Sequence, residues 1–113
     1  MKLRGFILAA IFLSFAAAVN VQAQFDITGT ITGRVTAANG GSVRRAFVEV
    51  MNLTTLETKT RTTNDFGYFK FDNLPITNLY LVTVDSKRHS FTFSNQLVQF
   101  TALEQNILFV SDF

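Results

Sequence analysis

Short runs in which apolar and polar residues alternate one by one cover most of the chain after residue 26, and this pattern constrains the fold more than any other feature. In residues 27–36, isoleucines, glycines and Val35 occupy every second position, with threonines and Arg34 between them. Successive side chains of a β-strand point to opposite faces, so the pattern predicts a strand with one buried and one wet face. No segment after residue 26 shows a helical period of 3.6 for longer than a turn. The sequence therefore predicts an all-β domain.

The other alternating runs are short and are separated by turn signals, of which Asn64-Asp65-Phe66-Gly67 is the strongest. In the run after this turn, Phe69 and Phe71 are predicted to point inward. Seven or eight short strands at regular spacing favour a β-sandwich. Besides 27–36, strands are predicted at 46–53, 58–63, 68–72, 79–85, around Phe91 and Phe93, at 97–101 and at 106–110.

The first 23 residues have the organisation of a secretory signal peptide. Lys2 and Arg4 precede an apolar run over 6–19, and Val21-Gln22-Ala23 provides modest or small residues at the −3 and −1 positions. A membrane-spanning helix needs about 20 apolar residues, more than this run contains. We predict cleavage after Ala23 and a mature domain over 24–113 that is secreted or periplasmic and has no membrane span. An uncleaved anchor is the alternative.

The charge of the mature domain excludes one class of partner. Once Lys2 and Arg4 are set aside, residues 24–113 contain eight Lys and Arg and eight Asp and Glu, so their formal net charge is zero. A nucleic-acid-binding domain is usually strongly basic. No nucleic-acid partner is therefore predicted.

The stability of the mature domain has to come from its core. The chain contains no cysteine, and ten of its thirteen phenylalanines follow Gln24. A domain of this size buries somewhat over 60% of its unfolded surface, which leaves a small margin of stability. Each buried aromatic removes some 150–250 Å² from water, so a phenylalanine-rich core is predicted.

Three segments carry a resemblance to a known family: 31–36 followed by Gly40-Gly41, 46–52, and 62–75 followed by 79–84. Together they resemble the carboxypeptidase regulatory-like domain. The resemblance implies a seven-stranded antiparallel Greek-key sandwich of the transthyretin type, often classed with carbohydrate-binding-like folds. In metallocarboxypeptidases this module is an accessory domain beside a zinc peptidase. No peptidase domain is recognised in this sequence, and a fold does not by itself give a function, so the prediction of a binding or scaffolding module that is not an enzyme depends on the residues considered next.

No catalytic, cofactor-binding or metal-binding residue is predicted. His89 is the only histidine, and it lies in a basic loop without a neighbouring acid, whereas nucleophilic catalysis needs a base beside the nucleophile. Asn64-Asp65 and Asp72-Asn73 could present oxygen atoms to Ca²⁺ across a hairpin. Asn and Asp at turns more often bond to their own backbone, and we favour that interpretation.

Seven residues are candidates for contact with a partner. Phe47, Met51 and Tyr68 fall on strand faces opposite the predicted core, where a cluster of them would form an exposed apolar patch. Two basic pairs could dock an acidic partner or an anionic lipid. These pairs are Arg44-Arg45 and Lys87-Arg88.

Residues 106–110 are apolar on both faces of their predicted strand. Such a strand is either central and buried or an unprotected edge that recruits a partner.

From the export signal, the resemblance and the candidate contact residues, we predict an exported binding or scaffolding module with a protein or glycan partner. Carbohydrate binding through Tyr68 and neighbouring surface aromatics is the alternative.

Overall fold

The computed structural model describes residues 27–113, so the predicted signal peptide and its cleavage site lie outside the described residues. The described part contains no helix, and hence none long and apolar enough to cross a membrane. Its seven strands are β1 (Thr28–Thr36), β2 (Phe47–Asn52), β3 (Thr58–Thr62), β4 (Tyr68–Pro75), β5 (Leu79–Asp85), β6 (Asn95–Gln99) and β7 (Glu104–Val110).

The strands form two sheets that pack face to face as a β-sandwich, which confirms the predicted fold class. The three-stranded sheet has the order β4-β1-β7, and the four-stranded sheet has the order β3-β2-β5-β6. Every pairing is antiparallel except one, because β7 runs parallel to β1 with Thr30 opposite Glu104 and Thr36 opposite Val110. The alternating pattern identifies a strand but contains no information about the direction of its neighbour.

The core is formed by the inward faces of both sheets, as the alternation predicts. Phe69 and Phe71 are buried and meet edge to face with ring centroids 5.9 Å apart, and Phe109 from β7 lies against Phe69. Burying a side chain of this size stabilises the fold by roughly 1.5–3 kcal/mol. The other large buried side chains are Ile31, Val35, Val43, Val48, Val50, Tyr80 and Val82.

Tyr80 is the one core side chain with a polar group at its tip. Its ring is fully buried, and its hydroxyl donates a 2.6 Å hydrogen bond to the carbonyl oxygen of Pro75. Burial raises the pKa of the Tyr80 phenol. The neutral, hydrogen-bonded phenol is therefore the form that fits the core.

The turn before β4 uses its asparagine as the sequence predicts. The side-chain oxygen of Asn64 accepts hydrogen bonds from the backbone N–H groups of Phe66 and Tyr68, both at 3.0 Å. Gly67 has φ +82°, which favours glycine, and an added Cβ there would overlap the carbonyl oxygen of Val35. Asn64 therefore accepts hydrogen bonds from the backbone of its own turn.

The predicted strand around Phe91 and Phe93 is wrong, because these residues lie in a loop with a turn at Thr92 and Phe93. Phe93 is 81% exposed. The Asp112 carboxylate accepts hydrogen bonds from the Thr92 backbone N–H at 2.9 Å and hydroxyl at 2.7 Å. These hydrogen bonds, from the Thr92 hydroxyl first, lower the pKa of Asp112. The segment satisfies its backbone through this side chain instead of through a neighbouring strand.

Strand β7 is an edge of the three-stranded sheet, so the interpretation of 106–110 as a central, buried strand is wrong. Phe109 is buried, whereas Leu108 and Val110 are about half exposed on the outer face. A hydrogen bond covers part of this edge, because the side-chain amide of Gln96 donates to the carbonyl oxygen of Leu108.

Candidate functional site

The turn that contains Arg44 and Arg45 is built around one buried hydroxyl. Thr63 is 4% exposed, and its hydroxyl donates to the carbonyl oxygen of Val43 at 2.8 Å and accepts from the N–H of Ala46 at 2.9 Å. Its backbone closes the same turn, because its carbonyl oxygen accepts from the N–H of Arg45 at 3.2 Å and its N–H donates to Ala46 at 2.9 Å. The backbone that presents the two arginines is therefore fixed.

Arg45 has a left-handed backbone conformation, with φ +57°. This conformation disfavours a residue with a Cβ by roughly 1–2 kcal/mol. It persists where surrounding contacts determine it, as the bonds to Thr63 do here. The consequence is a tight turn that points two adjacent cationic side chains away from the sandwich.

A second loop approaches this turn from the neighbouring strand. The turn precedes β2 and the loop over 86–89 follows β5, and these strands are antiparallel neighbours with Phe47 opposite Asp85. The end of one strand and the beginning of the other therefore lie at the same end of the four-stranded sheet. Both predicted basic pairs are brought together at this end, although they are far apart in sequence.

The two loops enclose a cleft of about 650 Å³, which we call the basic cleft. Its lining includes four permanent cations and one carboxylate, that of Asp85. In residues 27–113 the one ion pair within 4 Å is Lys70–Asp72, so no ion pair neutralises these cations. The lining residues are Ser42, Val43, Arg44, Arg45, Phe47, Asp85, Ser86, Lys87, Arg88 and His89.

The positive charge of the cleft contrasts with the neutral formal charge of the domain as a whole. Residues 24–113 are formally neutral, so the excess of positive charge in the cleft is local. A concave surface lined by one sign of charge concentrates the field and attracts ligands of the opposite sign. The basic cleft can therefore bind anionic groups, and the half-exposed ring of Phe47 adds an apolar wall to it.

Met51 lies on the same sheet face as Phe47, four residues further along β2. The register places Met51 beside Leu81 of β5, and Leu81 beside Leu97 of β6. We call these three residues the aliphatic row. Leu97 is 66% exposed, and Met51 and Leu81 are half-buried. The row begins about 14 Å from Phe47, since a strand advances about 3.4 Å per residue.

A different row separates the basic cleft from the aliphatic row. Glu49 is the outward residue between Phe47 and Met51, and the register places it beside Thr83, which in turn lies beside Asn95. The outer face of the four-stranded sheet thus changes from cationic to acidic and polar, and then to aliphatic. The sequence singled out the four cations of the cleft, Phe47 and Met51 as candidates, but not Asp85 in the cleft or Leu81 and Leu97 in the row. The signal for Leu81 was present, because residues 79–82 are apolar at every position.

Tyr68 lies on the other side of the molecule. It is outward-facing on β4 in the three-stranded sheet, opposite Arg34 of β1, and the Arg34 guanidinium carbon is 5.1 Å from the ring centroid. Phe47, Met51 and Tyr68 therefore do not form one patch. Alternation shows which residues point outward but not from which sheet they point.

His89 lies near the last residue of the described range. Its ring Nδ1 lies 3.4 Å from the backbone oxygen of Phe113, and no side-chain carboxylate in residues 27–113 is hydrogen-bonded to the ring. Residues 27–113 also contain no group of three or more His, Asp and Glu side chains placed to hold a metal ion.

A family model described as "Carboxypeptidase regulatory-like domain" matches residues 30–107 of the chain. No curated protein sequence matches this chain. Several solved structures share the fold at low sequence identity. A streptococcal ancillary pilin superimposes with TM-score 0.62 at 11% identity, over 74% of this chain and 31% of the pilin.

Two other pilus proteins give similar values. The major pilin subunit of Bacillus cereus has TM-score 0.62 and 12% identity, over 74% of this chain and 30% of the pilin. The pilus 2b backbone protein of group B streptococcus has TM-score 0.61 and 15% identity, over 74% and 40% of the two chains. This chain thus spans well under half of each of these proteins. At such identities the similarity shows a shared fold.

Proposed function

Because the chain belongs to the carboxypeptidase regulatory-like domain family, we propose that it is an exported, non-catalytic module that binds a macromolecular partner in the periplasm or at the cell surface. The partner docks on the outer face of the four-stranded sheet. The observation that carries this proposal is the placement of the basic cleft and the aliphatic row on that one face.

Export is supported by two independent observations. Residues 1–23 have the charge pattern, apolar run and cleavage-like site of a secretory signal peptide. The structural neighbours are pilus subunits, and this sandwich corresponds to one part of each of them. A module of this kind contributes a rigid surface, so we propose that its role is docking or scaffolding.

Carbohydrate binding at Tyr68 has less support. Sugar rings stack on an open aromatic face, but the Arg34 guanidinium occupies one face of the Tyr68 ring. The next outward residues along β4 and β1 are polar, Lys70 and Thr32, whereas Leu108 of β7 lies beside Arg34 at the sheet edge. A protein partner on the opposite sheet agrees better with the combination of the basic cleft and the aliphatic row on that face.

Site-specific crosslinking tests the proposed docking face. A photoreactive benzoylphenylalanine would replace Phe47 in one protein and Thr32, on the other sheet, in a second protein. Both proteins would be irradiated in an envelope extract with and without excess unlabelled domain. We expect a saturable protein adduct from position 47 that the unlabelled domain competes away, and no such adduct from position 32.

Two results would contradict the proposal. Saturable adducts from position 32 alone would place the docking face on the three-stranded sheet. Binding to a glycan array that is lost on Tyr68→Ala and unchanged by Phe47→Ala would establish the carbohydrate alternative.

A further inference from the structure

We propose that the basic cleft and the aliphatic row together bind one extended acidic segment of a protein partner. Its carboxylates enter the cleft, and an apolar side chain further along the segment lies on the row. This inference rests on the proposed function and names the chemical class of the partner. Each element of it follows from residues on the outer face of the four-stranded sheet.

The cleft matches carboxylates in charge and in geometry. Two of its four cations are the arginines of the fixed turn, Arg44 and Arg45. A guanidinium binds a carboxylate through two parallel hydrogen bonds, which a lysine cannot do. A volume of about 650 Å³ is within the range of clefts that hold small ligands, roughly 300–1,000 Å³. It admits a few side chains of a peptide.

The turn is ordered before any ligand arrives. The buried Thr63 hydroxyl and the Thr63 backbone hold residues 43–46 in one conformation. A partner therefore does not have to order this backbone on binding, and ordering is one of the main free-energy costs of association. The side chains of Lys87 and Arg88 come from a loop that is tied more loosely, by a 3.4 Å bond from the Arg88 N–H to the Ser86 hydroxyl.

The spacing of the outward-facing residues along β2 predicts the order of residue types in the bound segment. An extended chain lying along β2 advances about 3.4 Å per residue, so residues four apart in the segment would contact Phe47 and Met51. The residue between them would lie over Glu49, whose carboxylate repels a second acid at that position. The pattern is thus an acid in the cleft, a neutral or basic residue two positions on, and an aliphatic residue four positions on.

The same features disfavour an anionic membrane as the ligand. A bilayer is flat on this scale and cannot enter a concave cleft, and it would bring its charge against Glu49 and Asp85 on the same face. A peptide can place each of its charges individually. The peptide therefore fits the alternation of charge on this surface, and the membrane is an outcome that the test has to distinguish.

The test uses residues 24–113, because residues 27–113 alone form both sheets and the core. The probe is a fluorescein-labelled peptide with two glutamates, a two-residue serine spacer and two leucines. One comparison peptide contains the same residues with glutamates and leucines interspersed, and another has lysine in place of glutamate. Fluorescence anisotropy measures the affinity. We expect saturable binding of the first peptide and at least about fivefold weaker binding of the other two.

Matched charge variants show where the peptide binds. Arg44→Gln combined with Lys87→Gln removes two cations from the cleft, and Lys59→Gln combined with Lys70→Gln removes two cations from elsewhere. We expect the cleft pair to weaken binding about tenfold or more and the control pair to change it less than about twofold. Leu97→Ser should weaken binding of the leucine peptide but leave that of a peptide with serine in place of leucine unchanged. Circular dichroism and thermal midpoints check that each variant is folded.

Equal loss in both charge pairs would overturn the proposal, because it would show a non-specific response to charge. Equal affinity for the ordered and interspersed peptides would also overturn it. Preferential binding to phosphatidylglycerol vesicles would replace the peptide with a membrane. A saturable crosslink from position 47 without peptide binding would leave the proposed function in place and refute only this inference, whereas the absence of both would refute both.

Discussion

Replacing Thr63 with valine removes the hydroxyl that holds the arginine turn while keeping the shape of the side chain. Two buried groups lose their partner, the carbonyl oxygen of Val43 and the N–H of Ala46. A buried polar group without a partner costs about 1–3 kcal/mol. The methyl group of valine offsets part of this loss because it is apolar and buried. We therefore expect Thr63→Val to lower the free energy of unfolding by about 2–4 kcal/mol.

Urea denaturation followed by circular dichroism measures this change, with the thermal midpoint as a second readout. For a domain of this size each kcal/mol corresponds to about 4–8 °C, so the midpoint should fall by about 8 °C or more. Thr63→Ser keeps the hydroxyl and should cost only about 1 kcal/mol for the lost methyl. Thr60→Val, at an exposed position of β3, should change stability by less than about 0.5 kcal/mol.

The relative stabilities of these three variants show whether the Thr63 hydroxyl holds the turn. If Thr63→Val and Thr60→Val are equally stable, the two hydrogen bonds do not contribute and the turn is held by other contacts. If Thr63→Ser is as unstable as Thr63→Val, the methyl group and not the hydroxyl is important. Either result would refute the reasoning. A folded Thr63→Val protein should also bind the acidic peptide more weakly, because the arginine turn is no longer ordered in advance.

Three further outcomes are expected. Gly67→Ala should cost at least about 2 kcal/mol more than Gly40→Ala, because both have positive φ but only at Gly67 would the new Cβ overlap a backbone carbonyl; equal losses in urea denaturation would contradict this. Because the pKa of Tyr80 is raised in the folded state, the contribution of Tyr80 to the free energy of unfolding is complete below about pH 10 and falls as pH rises toward its folded-state pKa. Tyr80→Phe should remove part of this alkaline loss of stability, and an unchanged pH profile would exclude a contribution from Tyr80. The hydrogen bonds that lower the pKa of Asp112 stabilise the loop above about pH 4, and this contribution is lost as pH falls through the folded-state value. The protection of the Thr92 amide, measured relative to its intrinsic exchange rate at each pH, should therefore fall in acid in the natural protein, whereas it should already be low at neutral pH after Asp112→Ala.

Local patterns were sufficient to predict the sandwich and its core. Phe69 and Phe71 alternate with polar residues immediately after a strong turn signal, so their inward orientation needs no information from the rest of the chain. The strand predicted around Phe91 and Phe93 failed because the partner that satisfies the backbone of Thr92 is the side chain of Asp112, twenty residues away. A local pattern cannot reveal such a contact.

The candidate site was predicted only in pieces. The sequence identified two basic pairs and the outward positions of Phe47 and Met51. That the pairs share one cleft depends on the pairing of Phe47 with Asp85, and the aliphatic row depends on the pairing of Leu81 with Leu97. These registers are set by packing across strands that are distant in sequence. They become visible only when the sheet is assembled.

The parallel pairing of β1 with β7 has a consequence for when the sandwich can close. β1 is the central strand of its sheet, but one of its two neighbours is the last strand of the domain. In a chain synthesised N-terminus first, β1 emerges early and has to wait for β7, which also supplies Phe109 to the core. The sandwich therefore cannot close before the last strand is available. Contacts between such distant segments also slow folding, so the polypeptide stays open until its final residues are free to pair.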